Sequence, residues 1–195
     1  MATPRLKVPL VLPLQEDAYS CVPRCIKMIF MYIGNSLEGM RVPDFDLERI
    51  GKIIETKSDG TTAENVPNLN KVKEIKTAIP SIKFEIDQKW HKLDEITEEL
   101  NERQPPIAYI RKEDVKGEYG HAVLITCLDK ENHRIYYNDP VCGEMNEDLS
   151  TFLNRWDDED RVLIKVKIGK EPQRELEVYF KNVEKTDKDE PKERE

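Results

Sequence analysis

Apolar residues recur at helical spacing in the first half of the chain and at alternating spacing in the second. From Ala18 to Ile33, the residues Val22, Cys25, Ile26, Ile29, Phe30 and Ile33 fall at the three-and-four intervals of one helix face. Pro23 suits only the first turn, where its missing N–H costs nothing, and Gly34 predicts the stop. The helix therefore begins near Ser20 or Cys21. Phe45 to Lys57, with Leu47, Ile50, Ile53 and Ile54 on one side, predicts a second helix, and Thr62 or Glu64 opens a third through Leu69, Val72 and Ile75, ended by Pro80. Ile82, Phe84 and Ile86 alternate as in a half-buried strand, and Leu93 to Leu100 reads as a helix stopped by Pro105 and Pro106. Beyond these prolines the chain is β-rich. Ile107 to Ile110, His121 to Leu128, Arg134 to Tyr137 and Arg161 to Ile168 predict strands, with a short helix from Leu149 to Trp156 before the last. Leu176, Val178 and Phe180 alternate as an edge strand. Helices first and an antiparallel sheet afterwards make an α+β pattern.

The length of 195 residues suits one ordinary domain with an extension. Residues 1–170 are expected to form that domain. Residues 171–195 form a charged C-terminal extension, expected to be partly disordered, since Glu184 to Glu195 is charged everywhere except Thr186 and Pro191. Thirty-one Lys and Arg against 39 Asp and Glu give a net charge of −8, the wrong sign for a general phosphate-backbone binder, so no nucleic-acid partner is expected. No segment approaches the roughly 18 apolar residues of a membrane span. The run Val8 to Leu14 is short, broken by Pro9 and Pro13, and lacks a cleavage site, so Met1 to Leu14 reads as an extended arm against the body rather than a signal peptide. Four cysteines without a secretory signal do not make a disulfide framework, and a reduced, cytoplasmic protein is expected.

Cysteine or histidine chemistry must come from seven residues: Cys21, Cys25, Cys127, Cys142, His91, His121 and His133. Cys21 lies where the first helix begins, and a helix N-terminus favours the thiolate, the nucleophilic form. The alternative is a buried core cysteine. His121 stands where a strand leaves a loop, while His91 and His133 read as solvated surface residues. A short polar loop joins the His121 and Arg134 strands as a hairpin. Placing Leu128 across from residue 132 or 133 puts His121 across from 139 or 140, beside Asp139, although Asp139 and Pro140 also read as a plain turn. Gln15, six residues before Cys21, could aim its amide at the space faced by the Cys21 N–H, as an oxyanion site requires.

The run from Gln15 to Cys21, then Gly120-His121-Ala122-Val123, then Asn138-Asp139-Pro140, resembles the papain-like cysteine peptidases of the bacteriocin-processing, double-glycine leader type. Leu149, Phe152 and Trp156 before the strand at Val162 are similar to the standalone relatives of that family. The resemblance covers roughly residues 8 to 168 in order and spacing. It implies a papain-like cysteine peptidase fold with the N-terminal helices packed on the antiparallel sheet. It also implies a peptide or protein substrate and no cofactor, with Cys21 as nucleophile, His121 as general base and then acid, Asp139 orienting the imidazole, and Gln15 with the Cys21 N–H holding the oxyanion.

Val22 and Arg24 stand where the family commonly carries glycine and a small residue. A branched side chain and a cation beside the nucleophile would narrow the cleft. They motivate the alternative of a catalytically inactive papain-like module that binds a peptide or protein partner. A metal site is a third reading, since Cys21 and Cys25 share a helix face and Cys142 and His121 would complete four ligands, but the spacing lacks a second close pair. No metal is therefore expected.

Overall fold

In a computed structural model, residues 2–36, 42, 44–87, 90–114 and 117–169 are described. The edge strand expected at 176–180 and the charged tail lie outside them. The first helix, α1 (Cys21–Ser36), starts where Pro23 requires but runs past Gly34. The helical face anticipated from spacing is buried, and so are Arg24, Met28 and Tyr32, because α1 is enclosed rather than laid on a surface. It packs against β3 (Gly117–Asp129) and α2 (Leu47–Ile53).

The helix expected from Thr62 to Pro80 is two pieces. Ala63–Lys71 is a 3-10 helix containing Pro67, and α3 (Lys73–Ala78) follows it. Pro67 lacks the N–H that an α-helix interior would use, so the tighter helix prevails. Then come β1 (Ile82–Asp87), α4 (Leu93–Asn101), β2 (Ile107–Asp114), β3, β4 (Arg134–Asp139), β5 (Gly143–Asp148), α5 (Leu149–Asp157) and β6 (Leu163–Ile168). The six strands form one antiparallel sheet in the order β1-β6-β2-β3-β4-β5. Helices packed on an antiparallel sheet are the α+β class expected from the sequence.

Two features of the sheet decide which residues of β2, β3 and β4 come together. First, β2 and β3 pair all the way from Ile107↔Leu124 to Asp114↔Gly117, well beyond the expected strands. Second, β3 and β4 pair as Leu128↔Ile135 near their hairpin but as Leu124↔Asn138 further on, because Thr126 is an extra residue on β3. Where β3 leaves β2, the N-terminal arm takes over the free edge, with Thr3 N–H on Leu128 O at 2.9 Å and Leu6 N–H on Thr126 O at 2.9 Å.

The strand β5 was not expected, and the reason is visible in its sequence. Gly143–Asp148 is mostly exposed and acidic, so it carries no apolar alternation, and only pairing with β4 defines it. The helix α5 is anchored by the fully buried Phe152 and Trp156, and the Trp156 indole N–H donates to Val162 O at 3.0 Å. Trp156→Ala should destabilise the fold by about 3–5 kcal/mol in urea unfolding, the range for losing a buried large aromatic. A loss under about 1 kcal/mol would show that α5 is not part of the cooperative core.

Candidate active site

The site is assembled from two chain segments that meet at one end of the sheet. Cys21 occupies the first turn of α1 and is 7% exposed. The N–H groups of such a turn have no intrahelical acceptor, so they face outward beside the thiol. One turn on, Cys25 is fully buried and its thiol points to Ala122 O at 3.6 Å. Burial, followed by the nearby Cys21 and Asp139, pushes the Cys25 thiol well up, so it is a core cysteine and stays protonated.

His121 and Asp139 meet across the β3–β4 ladder. The His121 Nε2 lies 2.9 Å from Asp139 Oδ1, and both side chains are almost wholly buried. An ionised carboxylate only accepts, so the ring nitrogen donates. The expected register was wrong by two or three positions at the hairpin end, since Leu128 faces Ile135 rather than residue 132 or 133. The bulge at Thr126 decides the outcome. The hairpin-end register, carried through unbroken, would set Asp139 three positions from the residue opposite His121 and on the other face of the sheet. The extra residue changes three positions to two, which makes the pair diagonal neighbours on one face.

With Nε2 committed to Asp139, the other ring nitrogen remains available, and Cys21 lies near enough to act on the ring. Burial pushes the imidazole down, but the hydrogen bonds and charges of Asp139 and Cys21 outweigh it, and the net shift is upward. Burial also opposes the Asp139 charge. The bond and charge of His121, the Lys112 ammonium and the Val141 N–H prevail, and the carboxyl is held well below the usual range.

Asp139 is at the same time the cap of its own turn, so both readings of that residue hold. Its Oδ1 accepts from Val141 N–H at 2.8 Å and Cys142 N–H at 3.3 Å. Gly143, at φ +83°, closes the turn in a conformation that glycine adopts without strain. Neighbouring Asn138 donates to Val8 O at 2.9 Å and so ties the arm to β4.

Gln15 is 7% exposed and stands in the loop before α1. Its backbone N–H donates to Pro140 O at 2.7 Å, which joins this loop to the Asp139 turn. Its side-chain Nε2 donates to Asp17 O at 2.7 Å, and its Oε1 is buried without a partner. The amide is therefore fixed by a bond within the loop rather than by Cys21. Asp17 in turn accepts from Tyr19 N–H and Ser20 N–H, and from the Ser20 hydroxyl. The two residues expected to narrow the cleft do not stand in it. Val22 is fully buried in the core. Arg24 donates through Nε to Ser20 Oγ at 3.1 Å and through Nη1 to Pro13 O at 2.7 Å, and so braces the same loop.

Sequence reading missed Lys112, whose Nζ lies 2.7 Å from Asp139 Oδ2. With β2 ended at Ile110, Lys112 fell in a loop. The signal that would have found it is alternation, because Ile110 and Lys112 pair with His121 and Tyr119 and share their face. His91 also needs correction. It is 2% exposed rather than solvated, with Nδ1 2.9 Å from Glu95 Oε2, whereas His133 is exposed as expected. Among the described residues, no group of three or more His, Cys, Asp or Glu side chains is placed to hold a metal ion.

The start of α1 thus brings a buried thiol near a buried imidazole and carboxylate that are bonded to each other beside an antiparallel sheet. The sequence profile of the Peptidase C39-like family matches residues 5–163, and the chain belongs to that family. Two solved structures share its fold. A C39-like peptidase from Bacillus anthracis aligns with a TM-score of 0.57 at 13% identity, covering 85% of this chain and 97% of that one. A double glycine motif protease from an AMS/PCAT transporter, solved in complex with the leader peptide, aligns with a TM-score of 0.53 at 17% identity, covering 85% and 94%. No curated protein matches the sequence.

The raised His121 value makes a stability prediction with a definite sign. The unfolded imidazole titrates near 6.5, so its contribution is fully present below about 6.5 and is lost as pH rises through the higher folded value. For Asp139 the window is opposite, with stability present above about 3.9 and lost as pH falls towards the depressed folded value. The wild-type unfolding free energy in urea should therefore decline as pH rises above about 6.5, and His121→Gln should lack that component. Parallel curves for the two proteins would reject the buried pair. Deleting Thr126 removes the unpaired residue but leaves Ile125 opposite Tyr137 and Cys127 opposite Tyr136, so His121 should stay on the Asp139 face and its ring titration, read by NMR, should stay above about 6.5.

Proposed function

We propose that this chain is a cysteine peptidase, or a related thiol-dependent amide hydrolase, working through Cys21, His121, Asp139 and Gln15. The observation that carries this reading is the buried His121–Asp139 bond of 2.9 Å near the helix start that bears Cys21. His121 takes the thiol proton as Sγ attacks the substrate carbonyl carbon. The Cys21 N–H receives the developing oxyanion together with the second Nε2 hydrogen of Gln15, whose first is fixed on Asp17 O. As the C–N bond breaks, His121 returns the proton to the leaving amine. Water, deprotonated by His121, then attacks the thioester and releases the acid and the thiol. Asp139 keeps the imidazole in the required tautomer throughout.

Family membership supports peptidase chemistry, and the leader peptide bound to one structural relative supports a peptide as substrate. All four cysteines are unpaired, which suits a reducing compartment such as the cytoplasm. The unit carrying the activity is assigned to residues 1–170, with 171–195 as an extension. Val22 buried in the core and Arg24 turned into the loop network support the peptidase reading over an inactive binding module.

The test is labelling by iodoacetamide, followed residue by residue by mass spectrometry, alongside hydrolysis of a peptide library that includes Gly-Gly sequences. Cys21→Ala should abolish turnover and the fast label, with Cys25 unmodified in the folded protein. His121→Gln should remove the pH dependence of the label. Gln15→Ala should lower kcat by about 10²–10³ with labelling retained, the usual effect of removing one oxyanion donor. Equal labelling of Cys21 and Cys25, with no dependence on His121, would overturn the assignment in favour of a binding module.

A further inference from the structure

Asp139 has a second cationic partner, and its place in the sheet separates it from an ordinary surface ion pair. Lys112 lies on the part of β2 that extends past Ile110, on the face shared with Tyr119 and His121. Its ammonium is 2.7 Å from Asp139 Oδ2, with the lysine side chain 18% exposed and the aspartate 2%. Asp139 Oδ1 is meanwhile occupied by His121 and by the N–H groups of Val141 and Cys142. The carboxylate is thus shared between two positively charged or chargeable groups, one on each oxygen.

We propose that Lys112 is a positioning residue for the reaction, which by balancing the charge of Asp139 sets how tightly His121 holds its proton. The inference rests on the reading of His121 as base and Asp139 as its orienting group. The two backbone N–H groups already fix the carboxylate, so Lys112 is not needed to orient it. What the lysine adds is charge. A buried carboxylate facing an imidazole alone stabilises the imidazolium strongly, and a base that holds its proton too tightly is a poor acid for the leaving amine. An ammonium on the far oxygen weakens that hold while keeping the carboxylate ionised.

The other groups near the His121 ring are Cys21 from α1 and Tyr119 from β3, whose ring lies edge-on to it at 6.3 Å, and Cys25 of α1 lies near Asp139. Cys142, from the turn after β4, has its Sγ 3.7 Å from the lysine nitrogen. Behind Gly120 stands Glu159, paired with Arg111 at 2.9 Å. None of these is a cation in direct contact with Asp139, whereas Lys112 is.

The experiment is a pH titration of the histidine rings by NMR in the full chain labelled on histidine, with His121 identified by loss of its signal in His121→Gln. In Lys112→Met and Lys112→Gln the His121 titration should move up by about half a pH unit or more, as expected on loss of a neighbouring like charge. In Lys112→Arg it should stay at the wild-type value. His91 and His133 should not move in any of them. An unchanged or lowered His121 titration in the neutral variants would overturn the proposal, the second by showing that Lys112 only holds Asp139 in place. Failure of both neutral variants to fold while Lys112→Arg folds would overturn it as well, since Lys112 would then serve the fold. The underlying reading is tested apart from this in the protein that keeps Lys112. If His121 there ignores both Asp139→Asn and Cys21→Ala, it is the triad that fails rather than the lysine.

Discussion

The turn after β4 is the constraint on which the rest of the site depends. Within it, Asp139 accepts from His121, from Lys112 and from its own turn N–H groups, and Pro140 receives the backbone N–H of Gln15. Four separate parts of the chain therefore meet at two consecutive residues. A buried carboxylate in that position is tolerable only because each oxygen is satisfied by charged or N–H donors. Its stability and its proposed chemical role come from the same bonds.

That meeting point depends in turn on an irregularity in the sheet. Residues on a strand alternate faces, so a single extra residue exchanges one face for the other beyond it. Thr126 is that residue, and it is not idle in the ladder, because its carbonyl accepts from Leu6 of the N-terminal arm. The arm thus lies on the segment where β3 has lost β2 as a neighbour and where the bulge bends the strand. Asn138 holds the same arm through Val8 from the opposite strand. A segment that reads as a plain extended arm in the sequence supports the strand geometry that aligns His121 with Asp139.

How much of this was legible in the sequence depends on which kinds of signal a single chain carries. The α+β order, the start of α1 at Cys21 and the nearness of His121 to Asp139 could be read because proline placement, apolar periodicity and short motifs are local. The bulge could not be read. Thr126 sits in the apolar run around Ile125 and Cys127 and has the composition of any strand residue. Lys112 and the strand Gly143–Asp148 were missed for a related reason: both lie on strand segments that are polar, and their strand character comes from partners elsewhere in the chain. His91 was misread because Trp90 and Lys92 beside it carry no apolar periodicity and are themselves exposed, while burial is decided by α4, where Glu95 turns back to meet it.

The two departures from the family pattern beside the nucleophile bear on the same point. A valine after the nucleophile looks like an obstruction if its side chain is imagined in the cleft. In a helix, however, consecutive residues diverge by about 100°, so Cys21 at the rim and Val22 in the core are what one turn of α1 allows. Arg24 lies a further two residues on, and its guanidinium reaches back past the helix start to Ser20 and to the Pro13 carbonyl. It therefore closes a ring of bonds around the loop that carries Gln15. A small residue at position 24 would leave that loop to its Asp17 contacts and the Gln15–Pro140 bond. The cation that appeared to threaten the site is, in this chain, part of what holds the loop before Cys21 in shape, while Val22 serves the core.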